Sequence, residues 1–228
     1  MKVGVLLPTF RRNADDALAA ASDAAAAGLD GVFAYDHLYP MGHPERPALS
    51  SFPVLAAVAR RQPSLCVGPL VARVGLVPSV TLTTQLRALA ALAPGRVIAA
   101  LGTGDQLSAQ ENLTYGIAYA SADERREELR TTLLALAGEM PLWVGGGSAR
   151  TAQVARECGA AINLWNRDAA TVTEVAASGE VTWAGDLRSD VANQLDELAS
   201  AGATWVVAAP GSDVAALGRW REAHRGGL

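Results

Sequence analysis

Short apolar runs alternate with alanine-rich segments whose apolar positions recur at helical spacing, and the alternation continues from one end of the chain to the other. The runs are K-V-G-V-L-L (2–7), G-V-F-A-Y (31–35), L-C-V-G-P-L-V (65–71), R-V-I-A-A-L (96–101), L-W-V-G (142–145), A-I-N-L-W (161–165), V-T-W-A (181–184) and W-V-V-A-A (205–209), eight candidate strands in all. Start and stop residues frame the helices between them. Asn13 and Gly28 bound the first, Ser51 stands just ahead of Pro53 for the second, and Ser121 with Glu124 has capping-box spacing ahead of a helix that Gly138 ends. Ser148 and Gly159, Asp168 and Gly179, and Ser189 and Gly202 bound the next three, and Ser212 or Asp213 opens the last. Eight strand-then-helix units with no linker predict a closed parallel (β/α)8 barrel, a TIM barrel, rather than an open sheet, with residues 1–228 as a single domain. A typical barrel of this kind has ~250 residues, so this one is compact.

In such a barrel the chemistry gathers where each strand runs into its helix, and that is where this chain keeps its unusual residues. Asp36 and His37 follow the second strand: a carboxylate beside an imidazole orients and ionises a general base, or else caps a loop next to a surface histidine. The run Gly145-Gly146-Gly147-Ser148 follows the fifth strand and opens a helix. It suits a phosphate held by backbone N–H groups at a helix N-terminus, and equally a tight turn capped by Ser148. L-G-T-G-D at 101–105 ends the fourth strand with glycines that let a planar ligand approach, followed by Asp105. Trp165 and Trp183 suit either the wall of a pocket or packing between barrel and helices. Glu111, Arg125 and Arg126 read as surface or loop-anchoring ion pairs, and His43 and His224 as solvent-facing.

Charge narrows the field of partners. With 19 basic and 23 acidic residues the net charge is −4, and no basic run forms a phosphate-backbone footprint, so nucleic acid is not an expected partner. Cys66 and Cys158 lie in apolar surroundings without CxxC or Cys/His spacing, which predicts reduced thiols and no metal site. The N-terminal apolar run is shorter than a signal-peptide core, and no run approaches a membrane span, so a cytoplasmic, membrane-free protein is expected.

Taken together, the motifs resemble the luciferase-like monooxygenase superfamily, in particular its branch that uses the deazaflavin coenzyme F420. The landmarks are G-V-F-A-Y-D-H-L, V-G-P-L-V leading to L-A-P-G-R-V-I-A-A-L-G-T-G-D, E-N-L-T-Y-G, R-R-E-E-L, and P-L-W-V-G-G-G-S-A-R-T-A-Q-V-A-R-E-C-G-A-A. The resemblance implies a deazaflavin lying across the C-terminal rim and a small-molecule substrate above it. It places Asp36 against the cofactor ring with His37 as the acid or base, and puts a second proton-handling carboxylate at Asp105 beside Thr103 and Gly104. It also implies a non-proline cis peptide at Leu70-Val71 backing the ring, with Gly146, Gly147 and Ser148 gripping the phosphate. Tyr35-Asp36-His37 stands where flavin-mononucleotide (FMN) members more often carry Glu-His-His, which favours F420 over FMN. The alternatives are an FMN-dependent monooxygenase and a cofactor-binding protein without catalysis. Members commonly dimerise. They also carry an insertion between the fourth helix and the fifth strand, part of the lid over the substrate, where this chain has only Gly138-Glu139-Met140-Pro141.

Overall fold

In the computed structural model, which describes residues 1–146 and 148–225, the strand and helix alternation closes on itself. Among the described residues nine strands and nine helices follow one another: β1 (Lys2–Leu6), α1 (Asp15–Ala26), β2 (Gly31–Ala34), α2 (Ser51–Arg61), β3 (Cys66–Pro69), β4 (Ala72–Arg73), α3 (Ser79–Leu92), β5 (Ala99–Gly102), α4 (Gln106–Thr114), α5 (Ala122–Leu136), β6 (Leu142–Gly145), α6 (Ala149–Glu157), β7 (Ala161–Trp165), α7 (Ala169–Ala176), β8 (Val181–Gly185), α8 (Val191–Ser200), β9 (Ala203–Ala208) and α9 (Val214–Ala223). The sheet order is β3-β2-β1-β9-β8-β7-β6-β5-β4, and the paired strands run parallel. A parallel bridge between Val67 and Val97 joins the two ends of that order, and the ring is a TIM barrel.

The eight strands expected from the sequence become nine because the third is split. β3 ends at Pro69, which has no N–H to continue the ladder, and the Leu70-Val71 peptide that follows is cis, at the position the family resemblance implies. β3 pairs with β2 and β4 with β5, so the two pieces together make one stave of the barrel. Two helix starts also move, and one helix is added. α1 starts at Asp15 with Ala14, not Asn13, as its N-cap; α8 is preceded by Asp190, not Ser189; and the short helix α4, ahead of the Ser121–Glu124 capping box, was not expected.

Two apolar layers hold the ring. Inside, Phe33 stacks on Trp143 at 5.2 Å between ring centroids, Trp205 meets both rings edge-on at 5.8 and 5.5 Å, and Leu6, Ile98 and Val207 fill the space around them. So much aromatic volume fits because the backbone is bare where strands come closest: a Cβ on Gly68 would lie 2.2 Å from the Ile98 carbonyl oxygen across the closing seam. Outside, fully buried leucines such as Leu55, Leu86, Leu133 and Leu195 seal helices onto strands, each contributing roughly 1.5–3 kcal/mol of transfer energy. Trp183 belongs to this outer layer, with its indole N–H donating to the Arg167 carbonyl at 2.7 Å. No helix among the described residues is long and apolar enough to cross a membrane.

Candidate active site

Parallel pairing puts the C-terminal ends of all the strands on one rim, so the segments after β1, β2, β4, β5, β6 and β7 face each other. The chain leaves β2 at Ala34, and the next three residues go to different places. Tyr35 joins an aromatic wall: its ring lies parallel to Phe10 at 5.1 Å and tilted against the exposed Trp165 at 6.2 Å. Burial, and secondarily the Asp186 carboxylate, push the Tyr35 phenol up to about 12. Asp36 turns away from its neighbour. Its Oδ1 accepts a 2.7 Å bond from the hydroxyl of Ser51, the buried first residue of α2, and burial raises its carboxyl above the ordinary range against the opposing pull of Ser51 and the Arg73 backbone N–H.

His37 has a partner, and it is not Asp36. Its Nδ1 lies 3.0 Å from Oε2 of Glu111 on α4, a carboxylate only 2% exposed. The expectation that Asp36 orients the imidazole is therefore corrected, and of the two readings of Glu111, a surface or a loop-anchoring ion pair, the structure shows the second, buried. The same Glu111 oxygen meets Nη1 of Arg73 at 2.9 Å, and its Oε1 accepts from the backbone N–H groups of Leu38 and, at 3.4 Å, Tyr39. Burial pushes the Glu111 carboxyl up, but the His37 bond, the charges of His37 and Arg73 and the Leu38 N–H together outweigh it and leave the group below its usual range. Arg73, at the end of β4, is itself buried. Nη1 also donates to the Ser108 carbonyl at 3.1 Å, while Nε and Nη2 have no partner among the described residues.

The β5 end completes this side. Gly104 has φ +70°, and a Cβ there would fall 2.8 Å from Arg73 Cδ and 2.9 Å from Ser108 Cβ, so the second glycine of G-T-G-D is required both by its backbone angle and by the Arg73 and Ser108 side chains packed against it. Arg125 anchors the loop from α5, its Nε donating to the Thr103 carbonyl at 2.7 Å, and the Tyr119 hydroxyl donates to the Asp105 carbonyl at 2.7 Å. The Asp105 side chain caps α4: Oδ1 accepts from the Ser108 N–H at 2.9 Å and from its hydroxyl at 3.0 Å. Across the rim Ser148 caps α6 through the Thr151 N–H at 3.1 Å, next to Gly146; Gly147 lies outside the described residues. Between these two ends Val71 is fitted against two glycines, since a Cβ on Gly102 or Gly145 would meet its methyls at 2.5 and 2.7 Å. Thr9, at the end of β1, is buried with its hydroxyl unpartnered among the described residues.

A cavity of about 410 Å³ opens at the opposite end of the barrel, lined by Lys2, Cys66, Arg96, Pro141, Glu180 and Trp205. Gly138 and Met140 border it too. The short link between α5 and β6 thus lies at the N-terminal ends of the strands, at the other end of the barrel from His37.

The family model for luciferase-like monooxygenases matches residues 1–190. The chain belongs to that family. This luciferase-like chain is 30% identical over 123 residues to a protein of Microbacterium testaceum named F420-dependent glucose-6-phosphate dehydrogenase. The matched stretch covers 52% of this chain and 34% of that relative, so the chain corresponds to about a third of the curated protein's length. Among solved structures, an F420-dependent secondary alcohol dehydrogenase in complex with an F420-acetone adduct superposes with TM-score 0.78 at 13% identity over 95% of each chain. The monooxygenase RslO1 from Streptomyces bottropensis superposes with TM-score 0.74 at 12% identity over 98% of each chain. At such identities these two likenesses establish the barrel fold and nothing finer.

Proposed function

We propose that this protein is a coenzyme F420-dependent oxidoreductase that moves a hydride between the deazaflavin and a small organic substrate, a carbonyl compound or its alcohol being the simplest case. The observation that carries this reading is the His37 imidazole, partly exposed at the rim, anchored by a buried carboxylate and set beside an aromatic wall. The curated relative's name and the Tyr35-Asp36-His37 sequence support F420 in particular.

The rim residues fit such a group. Phe10, Tyr35 and Trp165 offer apolar faces to a planar ring, Val71 stands in its two-glycine cradle between β5 and β6, and the unpartnered Thr9 hydroxyl and Arg73 N–H groups are buried donors awaiting acceptors. The backbone at Gly146 and the α6 N-terminus capped by Ser148 would hold the phosphate, with Thr103 and Gly104 on the facing loop. When bound, the deazaflavin supplies hydride transfer and little reactivity towards oxygen. The chain's own part is the proton: His37, or Asp105 across the loop, gives one to the substrate oxygen as the carbonyl is reduced, or takes it in the reverse direction. Asp36, tied to Ser51 and the Arg73 backbone, holds the segment after β2, and His37 with it, in place.

An anaerobic assay tests this directly. Protein mixed with reduced F420 and a panel of small ketones, aldehydes and enones is expected to restore the absorbance of the oxidised cofactor with at least one compound. Turnover with reduced FMN and oxygen, and none with reduced F420, would replace this reading with a monooxygenase.

A further inference from the structure

We propose that Glu111 is the positioning residue of the site: it holds the His37 imidazole with the proton on Nδ1, so that Nε2, across the ring, is the nitrogen offered to a ligand at the rim. The catalytic consequence rests on the reading of His37 as the proton-handling group; the tautomer itself does not.

Four donors converge on the two oxygens of Glu111. Oε2 faces His37 Nδ1 at 3.0 Å and Arg73 Nη1 at 2.9 Å, and Oε1 faces the N–H groups of Leu38 and Tyr39. An ionised carboxylate only accepts, so the hydrogen between it and the imidazole sits on Nδ1. The His37 bond and charge, and after them the Arg73 guanidinium and the Leu38 N–H, keep the carboxylate ionised in a place where burial alone would favour the neutral acid. With the Leu38 and Tyr39 backbones bound to the same side chain, the two residues that follow His37 are tied to α4 together with its imidazole, which holds the ring in one orientation. The geometry also calls for a carboxylate and not an amide: glutamine has a single acceptor oxygen, so its NH2 group would face either the His37–Arg73 pair or the two backbone N–H groups, all of them donors. Catalytic imidazoles held this way present a fixed nitrogen to the reacting atom, and the benefit is lost when the tautomer is wrong.

The test needs neither cofactor nor substrate. The chain has three histidines, His37, His43 and His224, so 15N-histidine labelling with two-bond 1H–15N spectra, assigned by the signals missing from His37→Gln, reads the His37 tautomer in the neutral range. The expected result is the Nδ1–H form in the wild-type protein and a shift towards the Nε2–H form that free histidine favours in Glu111→Gln and Glu111→Ala. Should neither variant fold, the wild-type spectrum decides alone: an Nε2–H tautomer would overturn the proposal. So would an unchanged Nδ1–H tautomer in folded variants. If the tautomer behaves as proposed while reduced F420 drives no turnover, the positioning role stands and the functional reading falls.

Discussion

His37 Nδ1 and Glu111 Oε2 are 3.0 Å apart although 74 residues separate them in the chain. Arg73 lies on the other side of the same carboxylate, and both it and Glu111 are almost wholly out of water. Removing one member of a buried ion pair strands the other, at a cost of ~3–5 kcal/mol, whereas replacing both with apolar groups of similar volume is often close to neutral. Glu111→Leu and Arg73→Met are each expected to lower the urea midpoint sharply, and the double variant to lose less than the sum of the two, while the stranded His37, Leu38 and Tyr39 donors still cost it stability. Additive losses in the double variant would show that the two charges do not act as a pair.

Asp105 combines two possible duties, and one substitution separates them. Asparagine caps a helix about as well as aspartate, while alanine at an N-cap costs ~0.5–2 kcal/mol. Asp105→Asn is therefore expected to keep the thermal midpoint, and Asp105→Ala to lower it. If the carboxylate also moves a proton, Asp105→Asn should lower turnover by roughly 10²–10⁴-fold with cofactor affinity little changed. Full turnover in the asparagine variant would leave Asp105 as a cap only and the proton to His37.

Tyr35 makes the fold sensitive to alkali. Its phenol titrates near 10 in an unfolded chain and at about 12 in the folded one. Between those values the unfolded state has given up a proton that the folded state keeps, so the stability contributed by Tyr35 is complete below the unfolded value and drains away as pH rises towards 12. Urea midpoints collected across that range are expected to fall more steeply for the wild type than for Tyr35→Phe. Parallel curves would mean that the ring is wetter than its packing against Phe10 and Trp165 implies.

The barrel was legible because its signal is local. Strand and helix periods, the Ser121–Glu124 box and the caps at Ser148, Asp168 and Asp213 are all written within a few residues of one another, and they appear as expected. The split of the third strand left a trace in Pro69, and the family resemblance located the Leu70-Val71 bond. Glu111 left none. The buried face of α4 consists of Ser108, Glu111 and Asn112, while Leu107 and Leu113 are exposed, which inverts the usual pattern and makes the helix read as surface. Its partners come from β4 and from the segment after β2, so the charge cluster exists only once the ring closes. Asp36 misled for the opposite reason. It sits next to His37 in sequence, yet the side chains of adjacent residues leaving a strand diverge, and Ser51 takes the carboxylate.

The central claim is that this rim is a deazaflavin site, and equilibrium titration of the protein with F420 and with FMN, each followed by its own fluorescence, tests it most directly. The account predicts saturable binding of F420 at least ~10-fold tighter than that of FMN, a difference of about 1.4 kcal/mol. Tighter binding of FMN, or no binding of F420, would contradict it.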